Sequence, residues 1–386
     1  MQLKEGDLVF ASGGALNPYT ERNNDNDIAN VDPLLYNSAG RQVSQHAAGF
    51  APRLVADDPK SDPVLSSRFT SKELGIPGPV TCGDLITHMV GAPLETPPGT
   101  MPEYSNFGYC VLEGAIEGVT GMRYEDVVSE WLLDPLDINK DEFYLPKSSR
   151  LEDSKPNEAE YHMQGDEVCE GPSVYPSEGG INVTCPYGAL YNCESASAFG
   201  AWTASTRELI KLGKVLGPPH CHESECLIKE EWLREIEQKP AAWPKDTPFW
   251  VGLGYFIVPG NVKNETIWFH EGSASGGMAF LIRTADEVYA ATFNGNNGTG
   301  MADLESGQLK ITTMAECVKD WPMEYSNTSA EAHGPLGVFS CATFRSFCHD
   351  PFSLAVIAIA VSAFLSLAIV SLFQSVAPDE STMSSK

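Results

Sequence analysis

From Phe352 to Phe373 the chain runs for 22 positions without a charged side chain. At 1.5 Å per residue a helix of that length covers about 33 Å, enough to cross a hydrocarbon core. A helix buried in a soluble core is normally shorter and keeps a polar stripe. The polar tail QSVAPDESTMSSK after the run argues against a cleaved lipid-anchor signal. The run therefore predicts one transmembrane helix over 352–373, preceded by a stalk over 322–350 and followed by a short tail over 374–386. Everything functional then belongs to the body, residues 1–321. Flanking charge barely orients the helix, since Arg345 precedes it and Lys386 follows it.

Other features point the body outward. Four glycosylation sequons, at Asn182, Asn264, Asn297 and Asn327, all lie before the apolar run. So do all ten cysteines, a number suited to an oxidising compartment. Cys185/Cys193, Cys221/Cys226 and Cys341/Cys348 are close enough to suggest local bridges, although connectivity is not legible from sequence. The expectation is a single-pass membrane protein with its body on the extracellular or lumenal side. Its first residues, MQLKEGDLVF, have neither the basic nor the apolar region of a signal peptide. Charge excludes other partners. Lys and Arg number 25 against 52 Asp and Glu, a net of −27. Nucleic acid and anionic membrane surfaces are met with the opposite sign.

Along the body, residues 1–75 are polar with weak periodicity, and ALNPYTERNNDNDIANVDP reads as loop. CGDLITHMVG predicts a short amphipathic helix, ETPPGTMPEYSN a turn, and FGYCVLEGAIEGVTG a helix stopping at Gly121. A further helix opens at Tyr124 and continues through Trp131 and Leu132. Residues 146–200 form a long excursion bearing Pro, Gly and Cys, and AWTASTRELIKLGKVL reads as turn then helix. PFWVGLGYFIV, ETIWFHEG, GGMAFLIRT and EVYAATFNG are strand-like runs joined by tight turns, which implies an antiparallel sheet. A closing helix is expected from about Ala302 to Trp321.

Generic hydrolase motifs are missing. GSASGG at 272–277 has Ala274 where a nucleophile elbow needs serine, and His-Glu-x-x-His and phosphate-loop patterns do not occur. His220-Cys221-His222-Glu223-Ser224-Glu225-Cys226 has metal-ligating side chains, but a small bridged loop is the better reading in an oxidising compartment. No metal or cofactor is expected.

One ordered series of segments remains. Residues 97–138, PPGTMPEYSNFGYCVLEGAIEGVTGMRYEDVVSEWLLDPLDI, are followed by NEAEYHM at 157–163 and CPYGALYNCESASAFGAWTASTRELIKL at 185–212. GLGYFIV and WFHEGSASGGMAFLIRTADEVYAATFNG close it, and SQHAAGF at 44–50 lies upstream. In this order they resemble the β-lactamase-related serine hydrolases, which include class C β-lactamases, penicillin-binding-protein-like peptidases and esterases. The resemblance covers nearly all of residues 1–321. It implies an α+β, β-lactamase/transpeptidase-like fold: an antiparallel sheet flanked by helices, plus a helical subdomain.

The resemblance also implies roles. Such enzymes attack an ester or amide carbonyl with a serine that lies one helical turn before a lysine, forming an acyl-enzyme. Tyr104 would act as base and then acid, and Asn106 would bind the acyl-side amide of the substrate. His270 and Gly272 would form the strand beside the scissile bond, with the Ser273 backbone N–H in the oxyanion hole. Glu271 replaces the small hydroxyl residue usual there, and a carboxylate in the site would disfavour anionic substrates. Taken singly, Tyr104, Phe107 and Tyr109 equally describe an aromatic cluster at a helix start capped by Ser105 or Asn106, and His270 a surface histidine.

No serine of this sequence is followed three positions later by lysine. The resemblance makes MQLKEGDLVF the end of the nucleophile helix, which would put that serine, the family's first strands and any signal peptide upstream of Met1. On this expectation the sequence starts at an internal methionine and the last strand, EVYAATFNG, is left as an apolar edge. The alternative is a non-catalytic binding or scaffolding ectodomain on the same fold.

Overall fold

The computed structural model describes residues 40–50, 64, 67–89, 92–163, 169–189, 192–217, 219–220, 226–228, 230–262, 265–274, 276–296, 302–303 and 308–309. The expected stalk and the transmembrane helix at 352–373 lie outside the described residues. Within them, no helix is long and apolar enough to cross a membrane.

The final third forms the expected sheet. Its strands are β1 (Trp250–Val251), β2 (Phe256–Val262), β3 (Glu265–Ala274), β4 (Gly277–Arg283) and β5 (Val288–Phe293). They pair antiparallel in the order β5-β4-β3-β2-β1. Successive side chains point to opposite faces, and the sheet uses both. Ile257, Trp268, Ala279 and Leu281 join the main core. Val258, Ile267, Phe269, Phe280 and Ile282 form a second cluster on the other face. That double burial explains why GGMAFLIRT reads as a continuous apolar run rather than an alternating one. Among the described residues β5 is an outer strand of this sheet.

The main core joins the sheet face that carries Trp268 to side chains from the helices. These helices are α1 (Gly40–Ser44), α2 (Ser67–Leu74), α3 (Cys82–Met89), α4 (Asn106–Thr120), α5 (Tyr124–Val128), α6 (Thr206–Val215) and α7 (Glu230–Glu237). Local chemistry sets their ends. Ser105 caps α4 by accepting the Gly108 N–H, and Gly121, at φ 68°, closes it in the left-handed region. Ser205 caps α6 by accepting the Glu208 N–H. Helix α6 buries Leu209 and Leu212 against the core and lies on β4 and β5. The close approach is possible because Gly213 has no side chain: a Cβ there would sit 2.6 Å from Val288 Cγ1. α1 and α2 fall in the stretch whose sequence showed only weak periodicity.

Three expectations need correction. Cys185 pairs with Cys169 rather than Cys193, which is a buried free thiol. The reason is the ladder joining Glu170–Pro172 to Asn182–Thr184, whose register sets Glu170 opposite Thr184 and so brings the next pair outward together. A second bridge, Cys82–Cys110, ties α3 to α4. Cys226 is also disulfide-bonded, whereas Cys221, Cys341 and Cys348 lie outside the described residues. The expected closing helix does not begin at Ala302: Ala302–Asp303 pairs antiparallel with Gln308–Leu309. The third correction, at Glu271, belongs to the site.

Leu212 is fully buried between helix and sheet. Leu212→Ala should therefore cost about 3 kcal/mol of unfolding free energy. Urea denaturation followed by tryptophan fluorescence measures it, and a loss below roughly 1 kcal/mol would contradict this packing.

Candidate active site

The site is built on a seam between two loops. In the loop after α1 the backbone turns sharply, with His46 at φ 52° and Gly49 at φ 84°. The Glu103 N–H donates to His46 O (2.6 Å), Gly99 N–H to Ala47 O (2.7 Å) and Glu95 N–H to Gly49 O (2.9 Å). Glycine is required at 49, because a Cβ there would lie 2.0 Å from Thr96 O. These bonds lash residues 46–49 to 95–103, the segment leading to Tyr104.

Side chains continue the seam. The Ser105 N–H donates to His46 Nδ1 at 3.1 Å. The His46 ring stacks on Tyr104 with centroids 4.0 Å apart and lies 5.2 Å from the Tyr109 ring. Tyr109 in turn donates its hydroxyl to Ser44 O at 3.0 Å. Tyr104 is 41% exposed while His46 beneath it is 3% exposed. Asn106 is the first residue of α4 and half-buried. Ser105 cannot stand in for the missing nucleophile, since its oxygen caps α4 and the residue is buried.

His270 comes to this place from the sheet. It alternates in step with Trp268, so its side chain is on the helix-facing side, and it is buried rather than a surface histidine. It donates Nδ1–H to Glu271 O at 2.8 Å, and the Phe256 ring stands edge-on 5.3 Å away. A charge on it would disfavour a charge on His46. β2 starts at Phe256, opposite Phe269, so residues 270–274 of β3 have β4 on one side and no strand on the other among the described residues. The His-Glu-Gly segment is thus a local edge inside the sheet. The pleat also corrects the reading of Glu271. Its cross-strand partner is Phe280 of the second core cluster. The carboxylate therefore belongs to the face opposite His270 and Gly272.

Two imidazoles in this place remain neutral. Burial lowers the His46 pKa to about 3, with His270 reinforcing the effect, and burial lowers His270 to about 4. Burial also holds the Tyr109 phenol above its ordinary range.

The excursion 146–200 contributes a cleft beyond the end of β3. Glu158, Tyr161, Tyr187 and Ala274 line it, and Cys193 lies at its wall. The Glu158 carboxylate accepts the Tyr144 hydroxyl at 2.7 Å and also the Tyr161 hydroxyl. Ala274 is two residues past Gly272, which sets the cleft roughly 7 Å from that glycine along the strand. Tyr104, Asn106 and His270 do not line it. No group of three metal-ligating side chains occurs among the described residues. Asn182 is exposed on its short strand, and Asn264, Asn297 and Asn327 lie outside the described residues.

A sequence profile of the beta-lactamase family, described as Beta-lactamase, matches residues 39–312. The chain belongs to that family. Solved structures agree on the fold. A D-amino acid amidase from Ochrobactrum anthropi SV3, complexed with L-phenylalanine, superposes with a TM-score of 0.51 at 16% identity, covering 74% of each chain. An octameric penicillin-binding protein homologue from Pyrococcus abyssi gives 0.50 at 18% identity, covering 81% of this chain and 60% of the other.

His46 is the residue that sequence reasoning passed over. Its segment SQHAAGF had been matched to the family, yet a histidine in a loop shows no periodicity that would reveal it as buried. The neighbouring Gly49 was the available signal for a tight, closely approached turn.

The neutral histidines generate a pH dependence. An unfolded histidine takes its proton near pH 6.5, whereas His46 and His270 resist it until about 3 and 4. Between these limits the unfolded chain binds more protons than the folded one. The stabilisation is therefore complete above about pH 6.5 and lost as pH falls, at up to roughly 1.4 kcal/mol per pH unit for each histidine. Urea midpoints measured from pH 7 to pH 4.5 should fall, and His46→Phe should make the decline shallower. Equal slopes in both proteins would contradict a buried neutral His46.

Proposed function

We propose that this chain carries the substrate-binding side of a serine-hydrolase acyl-transfer site for a small-molecule or peptide ester or amide. Two features support the reading: the Tyr104-Ser105-Asn106 turn, held on His46 by the Ser105 N–H and by ring stacking, and the end of β3 at His270-Glu271-Gly272, beyond its pairing with β2. An extended amide can pair with such a backbone edge. In this reading Tyr104 takes and returns the proton, Asn106 orients the acyl-side amide, and the Ser273 N–H stabilises the oxyanion. The family's Ser-x-x-Lys is not in the sequence, so the chain as written binds without turning over. The other reading, a non-catalytic ectodomain that uses the same edge for a partner, is separated from this one by the coding sequence upstream of the Met1 codon.

A small amino-acid amide titrated into ¹⁵N-labelled protein tests the binding claim. Shifts should concentrate at the backbone amides of His270 to Ser273 and of Tyr104 to Asn106, with no product formed and no acyl adduct in the intact mass. Shifts elsewhere only, or none at millimolar ligand, would sink the assignment of the site. Steady hydrolysis lost in Tyr104→Phe would keep the site but overturn the claim that the chain is inactive.

The proposal also sets the body outside the cell or in a lumen, held by residues 352–373. It is supported by the uncharged run, the sequons and the two bridges Cys82–Cys110 and Cys169–Cys185. Expressed in a secretory host with a supplied signal peptide, the protein should remain in the pellet at alkaline pH and lose mass on endoglycosidase treatment. Release into the supernatant without a mass change would refute that placement.

A further inference from the structure

The cleft beyond the end of β3 is fastened to the sheet. Ala274 on its wall alternates in step with His270 and Gly272, so it belongs to the same face of the strand as they do. The turn that follows is pressed against the excursion. Gly276, at φ 77°, has no room for a Cβ, which would sit 2.9 Å from Tyr161 Cβ and 2.8 Å from Pro186 Cγ. Beyond β5, Gly295–Asn296 pairs parallel with His162–Met163, and the Asn294 side-chain amide donates to Glu160 O at 2.9 Å. Glu158 and Tyr161 therefore stand on anchored backbone. The Tyr161 N–H donates to the Tyr187 hydroxyl at 2.9 Å, and the two rings lie with centroids 6.1 Å apart.

Glu158 has charge left over. Its carboxylate accepts the Tyr144 hydroxyl, the Tyr161 hydroxyl and, at 3.2 Å, the Lys155 backbone N–H. All three donors are neutral; burial, and then the bond to Glu158, hold the Tyr144 phenol above its ordinary range. No ion pair to Glu158 occurs among the described residues. The Lys155 ammonium lies over the Tyr144 ring at 3.6 Å and 3.7 Å from Asp141, and Arg150 on the cleft wall is held by Glu178 at 2.9 Å. A carboxylate offers about four acceptor positions, so one remains.

We infer that this cleft is the subsite for an ammonium group on the substrate, bound by the Glu158 carboxylate and by the rings of Tyr161 and Tyr187. The inference deepens the proposed ester or amide site, on which it rests for the position of the carbonyl. A carboxylate meets an ammonium through charge-assisted hydrogen bonds, and phenol rings beside it add cation–π attraction. The cleft starts roughly 7 Å from Gly272 along the strand, so the charge belongs several bonds from the carbonyl, as in ε-aminocaproamide. The alternative is that Glu158 only ties Tyr144 and Tyr161 together.

The full chain, labelled with ¹⁵N, is titrated with ethylammonium chloride, ε-aminocaproamide and caproamide, the last lacking only the amino group. Ethylammonium should shift the amides of Tyr161, Tyr187 and Ala274. ε-Aminocaproamide should bind about tenfold tighter than caproamide, or more. In Glu158→Gln, which keeps an acceptor for the phenols but has no charge, the two should agree within about threefold and caproamide should bind as before. Equal affinities in the unmodified chain, shifts only outside the cleft, or no shifts with any of the three at millimolar ligand overturn the inference. So does a folded Glu158→Gln protein that retains the preference. If that variant does not melt cooperatively, Tyr187→Leu takes its place. There the preference should fall about threefold with the lost ring, and an unchanged ratio overturns the inference. The two readings fail separately. Ethylammonium bound in the cleft while both amides leave residues 270–273 unmoved defeats the hydrolase site and keeps the cation subsite. Both amides moving residues 270–273 with equal affinity keeps the site and defeats the subsite.

Discussion

The hydrogen bond from the Ser105 N–H to His46 Nδ1 joins the two halves of this molecule's chemistry. On one side it belongs to the start of α4, where Ser105 also caps the helix. On the other it belongs to a loop whose backbone passes through left-handed conformations at His46 and Gly49. Because a buried polar group left unpaired is costly, the imidazole has to stay neutral and keep one face of its ring towards Tyr104. The orientation of Tyr104 and the path of residues 95–103 depend on that arrangement.

The sheet supplies the second constraint. Strand β3 is paired on both sides as far as Phe269, and beyond it β2 no longer accompanies it. The interior of the strand is therefore rigid and doubly buried while its last residues have an open side. The pleat sorts the motif's side chains at the same time, sending His270 and Gly272 to the helix face and Glu271 to the other. The family resemblance puts the extra carboxylate in the site. The register against Phe280 shows otherwise.

Much of the architecture was legible because its signals are local. Ser105 and Gly121 bracket α4 by capping chemistry, Ser205 opens α6, and the four apolar runs of the final third form the expected sheet, the first of them folding back into two strands. The errors have a common cause. The partner of Cys185 follows from a ladder between two three-residue strands, and pairing register is not written in cysteine spacing. The strand pieces at Ala302–Asp303 and Gln308–Leu309 replaced an expected helix because a short segment with ambiguous period is decided by what it can pair with.

By itself the sequence determined the family, through an ordered series of short motifs. It also determined that no Ser-x-x-Lys is present, and that one uncharged run is long enough to span a bilayer. These are properties of residue identity and spacing, which survive without a fold. Only the tertiary structure decided that His46 belongs with Tyr104 and Ser105, that Glu271 faces away, and that β3 runs past its pairing with β2 at Phe269. The first arises where segments 59 positions apart meet, and the others from strand register, which residue spacing does not fix. Burial and tautomer at such a junction are set by neighbours that local pattern does not encode.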